Sequence, residues 1–375
     1  MRNGLHDTAV PCSSDPLAAA WCVADIAYAL APARDADGSV PDTEIAALAA
    51  VGLLHAPLPA VLGGQALGAT PATTLPLRDV LRVLGGASLP LGRLYEGHVN
   101  AVRLVMRYGT PHQLRLLGQE ADARRLSAVW NAESGDGLHL VDGRLRGGKI
   151  YTSGVGMVRR PLLTATTPAG VVMLLPDVAA IHADLSGWTP LGMRASLTGA
   201  ADFSGLAVAP DEIVGVAGDY YRAPLFSGGA WRVIAVQLGA VERLVALYAD
   251  QMQHRGRAAD AVQRARFAEA VTACEAARLW TARAAMVAED ARLPAGEIDA
   301  FVNLARHGFE RAAIDVMGCV QRGVGLSAML RPSPIERIVR DLTTYLRQPG
   351  LDAGIDAAAG WALADRAMHA DIGTA

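Results

Sequence analysis

Aromatic residues make up only 5% of this 375-residue chain and charged residues 19%, while 51% is apolar. So apolar a chain with so few charges is not intrinsically disordered. Charge of one sign is also missing: the formal net charge is -3, which gives no general attraction to nucleic acid or to an anionic membrane. The four cysteines, Cys12, Cys22, Cys274 and Cys319, fall into no CxxC or CxxH spacing, which argues against a disulfide framework and against a zinc site, and no metal is expected. Long apolar runs are absent too. The stretch from Leu17 to Ala33 is interrupted by Asp25 and follows no basic segment, so neither a signal peptide nor a transmembrane helix is expected, and the chain reads as soluble and cytoplasmic. Lysine is nearly missing: of 34 basic side chains only Lys149 is not arginine, a bias of the kind a GC-rich genome produces.

What is present is alanine, roughly one residue in five, and a pattern that changes twice. Residues 1–125 read as a helical domain. Asp15-Pro16 opens a first helix, Asp42-Thr43-Glu44 a second, and Pro76-Leu77-Arg78-Asp79 a third that Gly85-Gly86 ends. A fourth runs from Leu91 to Tyr108 and stops at Gly109-Thr110-Pro111, after which a short helix follows. Residues 126–220 read as an antiparallel β domain. Asp142-Gly143 between two apolar runs signals a hairpin, and Val171 to Leu175 and Leu206 to Val208 read as strands. Residues 221–375 carry four long helical stretches, 230–256, 260–292, 297–322 and 334–346, which suggests an antiparallel four-helix bundle.

Five local motifs in this order resemble the acyl-CoA dehydrogenase superfamily. They are LSAVWNAESGD (126–136), GGKIYTSG (147–154), LGMRAS (191–196) with the 203–210 segment behind it, Gln263, and PIERIVRD (334–341). The resemblance covers nearly the whole chain and implies an α+β fold: an N-terminal helical domain, a middle antiparallel β domain and a C-terminal four-helix bundle. It implies FAD as cofactor, with Trp130, Ala132 and Glu133 along the first flavin segment. Tyr151, Thr152 and Ser153 would lie on the second, Tyr151 packing on the flavin and Ser153 donating toward its N5/O4 edge. Gln263, Arg322 and Gly323 would stand on the adenosine and pyrophosphate side. Arg322 departs from the family's glycine at its position.

A second departure bears on the reaction. Dehydrogenases of this family remove an α-proton with a glutamate, and here the two usual places hold Pro349 and Trp231, neither of which can accept a proton. The helix expected to line the acyl pocket carries Tyr95-Glu96-Gly97-His98-Val99-Asn100. Glu96 and Asn100 share a face and His98 points elsewhere. Glu96 and His98 are therefore the acid/base candidates, and the competing reading makes Tyr95 and Glu96 exposed and His98 a hydrogen-bonded core residue. Asn100, Arg194, Trp231 and Arg347 are the substrate-binding candidates. For Arg194 the alternative is holding a strand pair, and for Arg347 a surface ion pair. Arg337 and Arg340 read as bundle ion pairs with Glu336 and Asp341.

Three functions remain open. The first is an FAD-dependent oxidoreductase acting on a CH–CH group of a CoA or carrier-protein thioester, or a related carbonyl compound, by hydride transfer to N5. The second is a flavin monooxygenase of the same fold that uses reduced flavin and O2, and the third is a member without activity. The partners implied are a small-molecule substrate, an electron-transfer protein or flavin reductase, and further copies of the chain in a homodimer or homotetramer, with no nucleic acid and no membrane.

Overall fold

The structure, a computed structural model, describes residues 15–347 and 351–364. Five helices come first: α1 (Pro16–Asp37), α2 (Asp42–Ala50), α3 (Pro71–Ala87), α4 (Leu89–Tyr108) and α5 (Pro111–Asp122). Asp15 caps α1 by accepting the Leu17 N–H, and Thr110 and Gln113 form a reciprocal capping box on α5. The third helix differs from expectation at both ends. It begins at Pro71, where Thr70 and Thr73 cap it, and it runs through Gly85-Gly86 to Ala87. The glycines are there for close approach: a Cβ on Gly85 would stand 2.0 Å from the Val236 carbonyl oxygen of a crossing helix.

Eight strands follow: β1 (Val129–Trp130), β2 (Glu133–Val141), β3 (Arg144–Thr152), β4 (Leu162–Thr167), β5 (Gly170–Leu174), β6 (Ala183–Asp184), β7 (Gly199–Asp202) and β8 (Ile213–Val214). Their order is β6-β7-β3-β2-β4-β5-β8, with β1 beside β4. The Asp142-Gly143 hairpin joins β2 and β3, both turn residues at positive φ. Two expectations need correction. The sheet is mixed, because β1 and β2 both pair in parallel with β4. Residues 206–208 form no strand; Ala207 makes one isolated bridge to Arg144 before Pro210 removes the next donor.

The chain then returns to helix: α6 (Leu225–Gly228), α7 (Trp231–His254), α8 (Ala261–Ala288), α9 (Ala295–Val324), α10 (Pro334–Tyr345) and α11 (Leu351–Ala364), the last packed on α9. One continuous apolar core joins the early and late helices, with α3 lying on α7, and a smaller core around Trp130, Leu138, Leu145 and Phe203 fills the sheet. By length and composition α1 could cross a membrane, but its Ala20, Val23, Ala24 and Ala27 face is buried on this core. The fourth helix, α4, runs between the helical core and β1, and that position creates the cleft described next.

Candidate functional site

The sheet side of the cleft is held by internal hydrogen bonds. Lys149 is fully buried on β3, and its ammonium donates to the Asn131 carbonyl (3.1 Å), Glu133 Oε1 (2.6 Å) and Thr164 Oγ1 (3.0 Å). Three donors on one point charge meet three acceptors, a geometry the planar guanidinium of arginine does not reproduce. Burial lowers the Lys149 pKa and the Glu133 carboxylate opposes that shift. Glu133 is thereby committed, since its other oxygen accepts the Leu138 N–H at 2.9 Å. The Ala132 carbonyl accepts from Ile150 within the sheet, and the Thr152 hydroxyl donates to the Gly199 carbonyl. Ala132, Glu133 and Thr152 thus have internal partners, and for Glu133 that is a structural role.

Tyr151 and Ser153 behave differently. Tyr151 sits at φ 52° with its ring 65% exposed, a conformation in which a bulky residue is uncommon. The Ser153 carbonyl accepts from the Trp130 indole at 2.9 Å, and the Ser153 hydroxyl lies 3.0 Å from Thr198 Oγ1. Ser196 donates to the Met193 carbonyl, and its hydroxyl is paired with that of Thr198, which is paired with that of Ser153. Ser153 thus brings a hydroxyl to the cleft, its position held by Thr198.

On α4 the polar residues divide between two faces. Tyr95 is buried rather than exposed, and His98 is a core residue; both turn to the helical core. Tyr95 donates to the Leu53 carbonyl, while His98 Nδ1 accepts the Ser127 N–H at 3.0 Å and Nε2 donates to the Leu54 carbonyl at 2.9 Å. Burial holds His98 down at about 4. Both ring nitrogens are occupied, so the acid/base role expected of His98 is replaced by a structural one.

The opposite face carries Glu96, also buried, which accepts from Arg93 Nη1 at 2.5 Å and from the Asn100 amide. Asn100 in turn accepts from Arg232 Nε at 2.5 Å. Arg232 lies 3.7 Å from Glu289, and Glu289 holds Arg103 at 2.7 Å. Burial first, and then the Arg103 charge, lower the Arg232 pKa to about 10. The expected shared face of Glu96 and Asn100 is present, but Arg93, Arg103, Arg232 and Glu289 were not foreseen. The i, i+3 spacing of Arg93 and Glu96 was the one signal in the sequence.

Between these walls lies a narrow cleft of about 10 Å³, open to solvent and lined by Arg93, Leu94, Gly97, Leu126, Ser127, Ala128, Val129, Ser153 and Val158. It brings Ser153 together with α4 and contains no carboxylate or imidazole among its lining residues. Trp231, where one base was expected, is fully buried beside it in sequence to Arg232, and its indole N–H has no partner among the described residues. Pro349, the other position, lies outside the described residues.

The remaining candidates lie elsewhere. Arg194 donates to the Asp35 and Ala36 carbonyls, capping the end of α1, and Arg347 pairs with Glu310 on α9, the surface ion pair that was its alternative reading. Arg340 bonds Glu336 and Asp35, and Arg337 lies 3.8 Å from Asp341, as expected of bundle ion pairs. Gln263 is spent on Tyr248 and the Gly323 carbonyl. Gly323 is explained without a cofactor, because a Cβ there would meet the Tyr248 hydroxyl at 2.1 Å. Arg322 is exposed. No group of three or more potential metal ligands occurs among the described residues.

Solved structures of similar shape decide the architecture. Butyryl-CoA dehydrogenase from Megasphaera elsdenii superposes with a TM-score of 0.82 at 18% identity, covering 97% of this chain and 100% of that one. The chain has the acyl-CoA dehydrogenase fold. TdsC from Paenibacillus sp. A11-2, solved with FMN and indole, shares that fold with a TM-score of 0.81 at 21% identity, covering 93% of this chain and 97% of that one. By sequence, the dibenzothiophene monooxygenase of Mycolicibacterium goodii is 29% identical over 215 residues, 52% of this chain and 50% of that protein. The chain spans about half the length of the curated relatives it matches. No family model matches it.

Proposed function

We propose that this chain is a soluble, cytoplasmic, homo-oligomeric flavin-dependent monooxygenase that receives reduced FMN from a separate reductase. The observation that carries the reading is the cleft itself: among the described residues that line it beside Ser153, none can take an α-proton. Glu96, on α4 beside the cleft, is committed to Arg93 and Asn100. Similarity to dibenzothiophene monooxygenases supports the same reading.

The residues present fit a flavin ring better than a dinucleotide. Tyr151 presents an exposed ring, and Ser153 presents a hydroxyl able to pair with a flavin ring edge. On the adenosine side Gln263 and Gly323 are consumed by Tyr248, so FMN replaces the expected FAD. When bound, reduced flavin supplies the two electrons that activate O2; one oxygen atom enters the substrate and the other leaves as water. Ser153 orients the ring edge, while Leu94, Leu126, Val129 and Val158 keep water from the reacting atoms.

A second reading, oxidation of an acyl thioester with an electron-transfer partner, draws on the likeness to butyryl-CoA dehydrogenase. One experiment separates the two. Purified protein is titrated with FMN and FAD by fluorescence quenching, then challenged anaerobically with butyryl-CoA. FMN binding tighter than FAD binding, with no bleaching, is the expected result. Bleaching of the bound flavin by the thioester would overturn the monooxygenase reading in favour of the second.

A further inference from the structure

Arg93 is the only charged residue lining the cleft. Glu96 grips its Nη1, which fixes the guanidinium plane, and its Nε and Nη2 have no partner among the described residues. The charges around it do not cancel. Arg93, Arg103 and Arg232 contribute three positive charges; Glu96 and Glu289 contribute two negative ones. Tyr220 and Tyr345 also face this cluster, and burial holds both phenols above their ordinary range, so they add no negative charge. The cluster therefore sums to one positive charge, and Arg93, its member at the cleft, keeps 23% of its side-chain surface accessible, so an anion can reach it. Apart from Ser127 and Ser153, the rest of the lining, Leu94, Gly97, Leu126, Ala128, Val129 and Val158, is apolar.

We propose that Arg93 anchors the substrate by pairing with an oxyanion, and that the substrate is a small organic acid with an apolar body rather than a neutral aromatic compound. The anion takes the Nε and Nη2 donors in a bidentate pair and completes the charge balance of the cluster. This deepens the monooxygenase reading and rests on it for the role of the cleft, but anion capture is measurable without turnover.

Calorimetric titration with benzoate and with its neutral counterpart benzamide tests the proposal, on FMN-loaded protein and on protein without added flavin. Wild-type protein is expected to bind benzoate at least tenfold tighter than benzamide. Arg93→Met is expected to abolish that preference, and Arg93→Lys to keep part of it. Because Arg93→Met leaves Glu96 unpaired, Arg93→Met/Glu96→Gln removes the pair together and tests the anchor in a folded protein. No benzoate preference in wild type, or a preference that survives in the double variant, overturns the proposal. Failure to bind FMN sinks the functional reading instead, and the flavin-free titration still decides the role of Arg93.

Discussion

His98 and Glu96 lie two residues apart on α4, each 1% exposed, and they end in different circumstances. On the core face His98 spends both ring nitrogens on backbone groups of two other segments, so its bonding capacity is closed. On the cleft face Glu96 is satisfied, but the residue that satisfies it, Arg93, keeps two donating nitrogens uncommitted. Lys149 belongs with His98: it is fully buried and fully bonded. Burial of a polar group thus marks a demand for partners, whereas capacity left over marks a place for a ligand.

The contrast can be broken most forcefully at Lys149. Lys149→Ala leaves Glu133 and Thr164 without their shared donor and is expected to cost about 3 to 4 kcal/mol, read as a shift of the urea midpoint. His98→Ala is expected to cost about 2 kcal/mol at pH 7 by orphaning the Ser127 N–H and the Leu54 carbonyl. Its pH dependence carries a sign. The folded-state value, about 4 against an ordinary 6.5, means that the unfolded chain binds the extra proton. Wild-type stability is therefore whole above 6.5 and falls by up to about 3 kcal/mol as pH drops toward 4. The His98→Ala curve should be flatter through that window, and parallel curves would show that His98 is not held neutral.

Ser153→Ala, at the cleft, is expected to change stability by less than about 1 kcal/mol while weakening FMN binding about tenfold, which fluorescence quenching reads. If the stability loss matched that of His98→Ala, the cleft hydroxyl would belong with the closed sites. Arg347→Ala is the smallest, at most about 0.5 kcal/mol for an exposed pair with Glu310, and should leave benzoate affinity unchanged.

Much of the fold was legible because its signals are local. Helix caps, the Asp142-Gly143 hairpin and the PIERIVRD helix depend on neighbours in sequence. The exceptions depend on distant partners. Gly85 looked like a helix end because only the crossing of α7 reveals why a glycine belongs inside a helix. The sheet looked antiparallel because parallel pairing of β1 with β4 has no local sign. At the site, Glu96 and Asn100 were visible as a pair by their spacing. Arg232, 132 residues beyond Asn100, was not, and without it the cluster's charge could not be summed. Likewise Arg194 and Arg347 were candidates on the strength of their type, until the α1 carbonyls and Glu310 accounted for them.

The Arg340–Asp35 pair has a consequence for how the molecule is made. Arg340 grips both Asp35 carboxylate oxygens, at 2.9 and 2.6 Å, and also the Leu191 carbonyl, so α1, the loop before β7 and α10 meet at one joint. The two residues are 305 positions apart. At ordinary elongation speeds of about 5 to 20 residues per second, α1 leaves the ribosome roughly 15 to 60 s before its latch is synthesised. Helix α1 is thus among the last of these helices to be fastened, and until then its apolar face has only α2 and α3, or a chaperone, to keep it from neighbouring nascent chains.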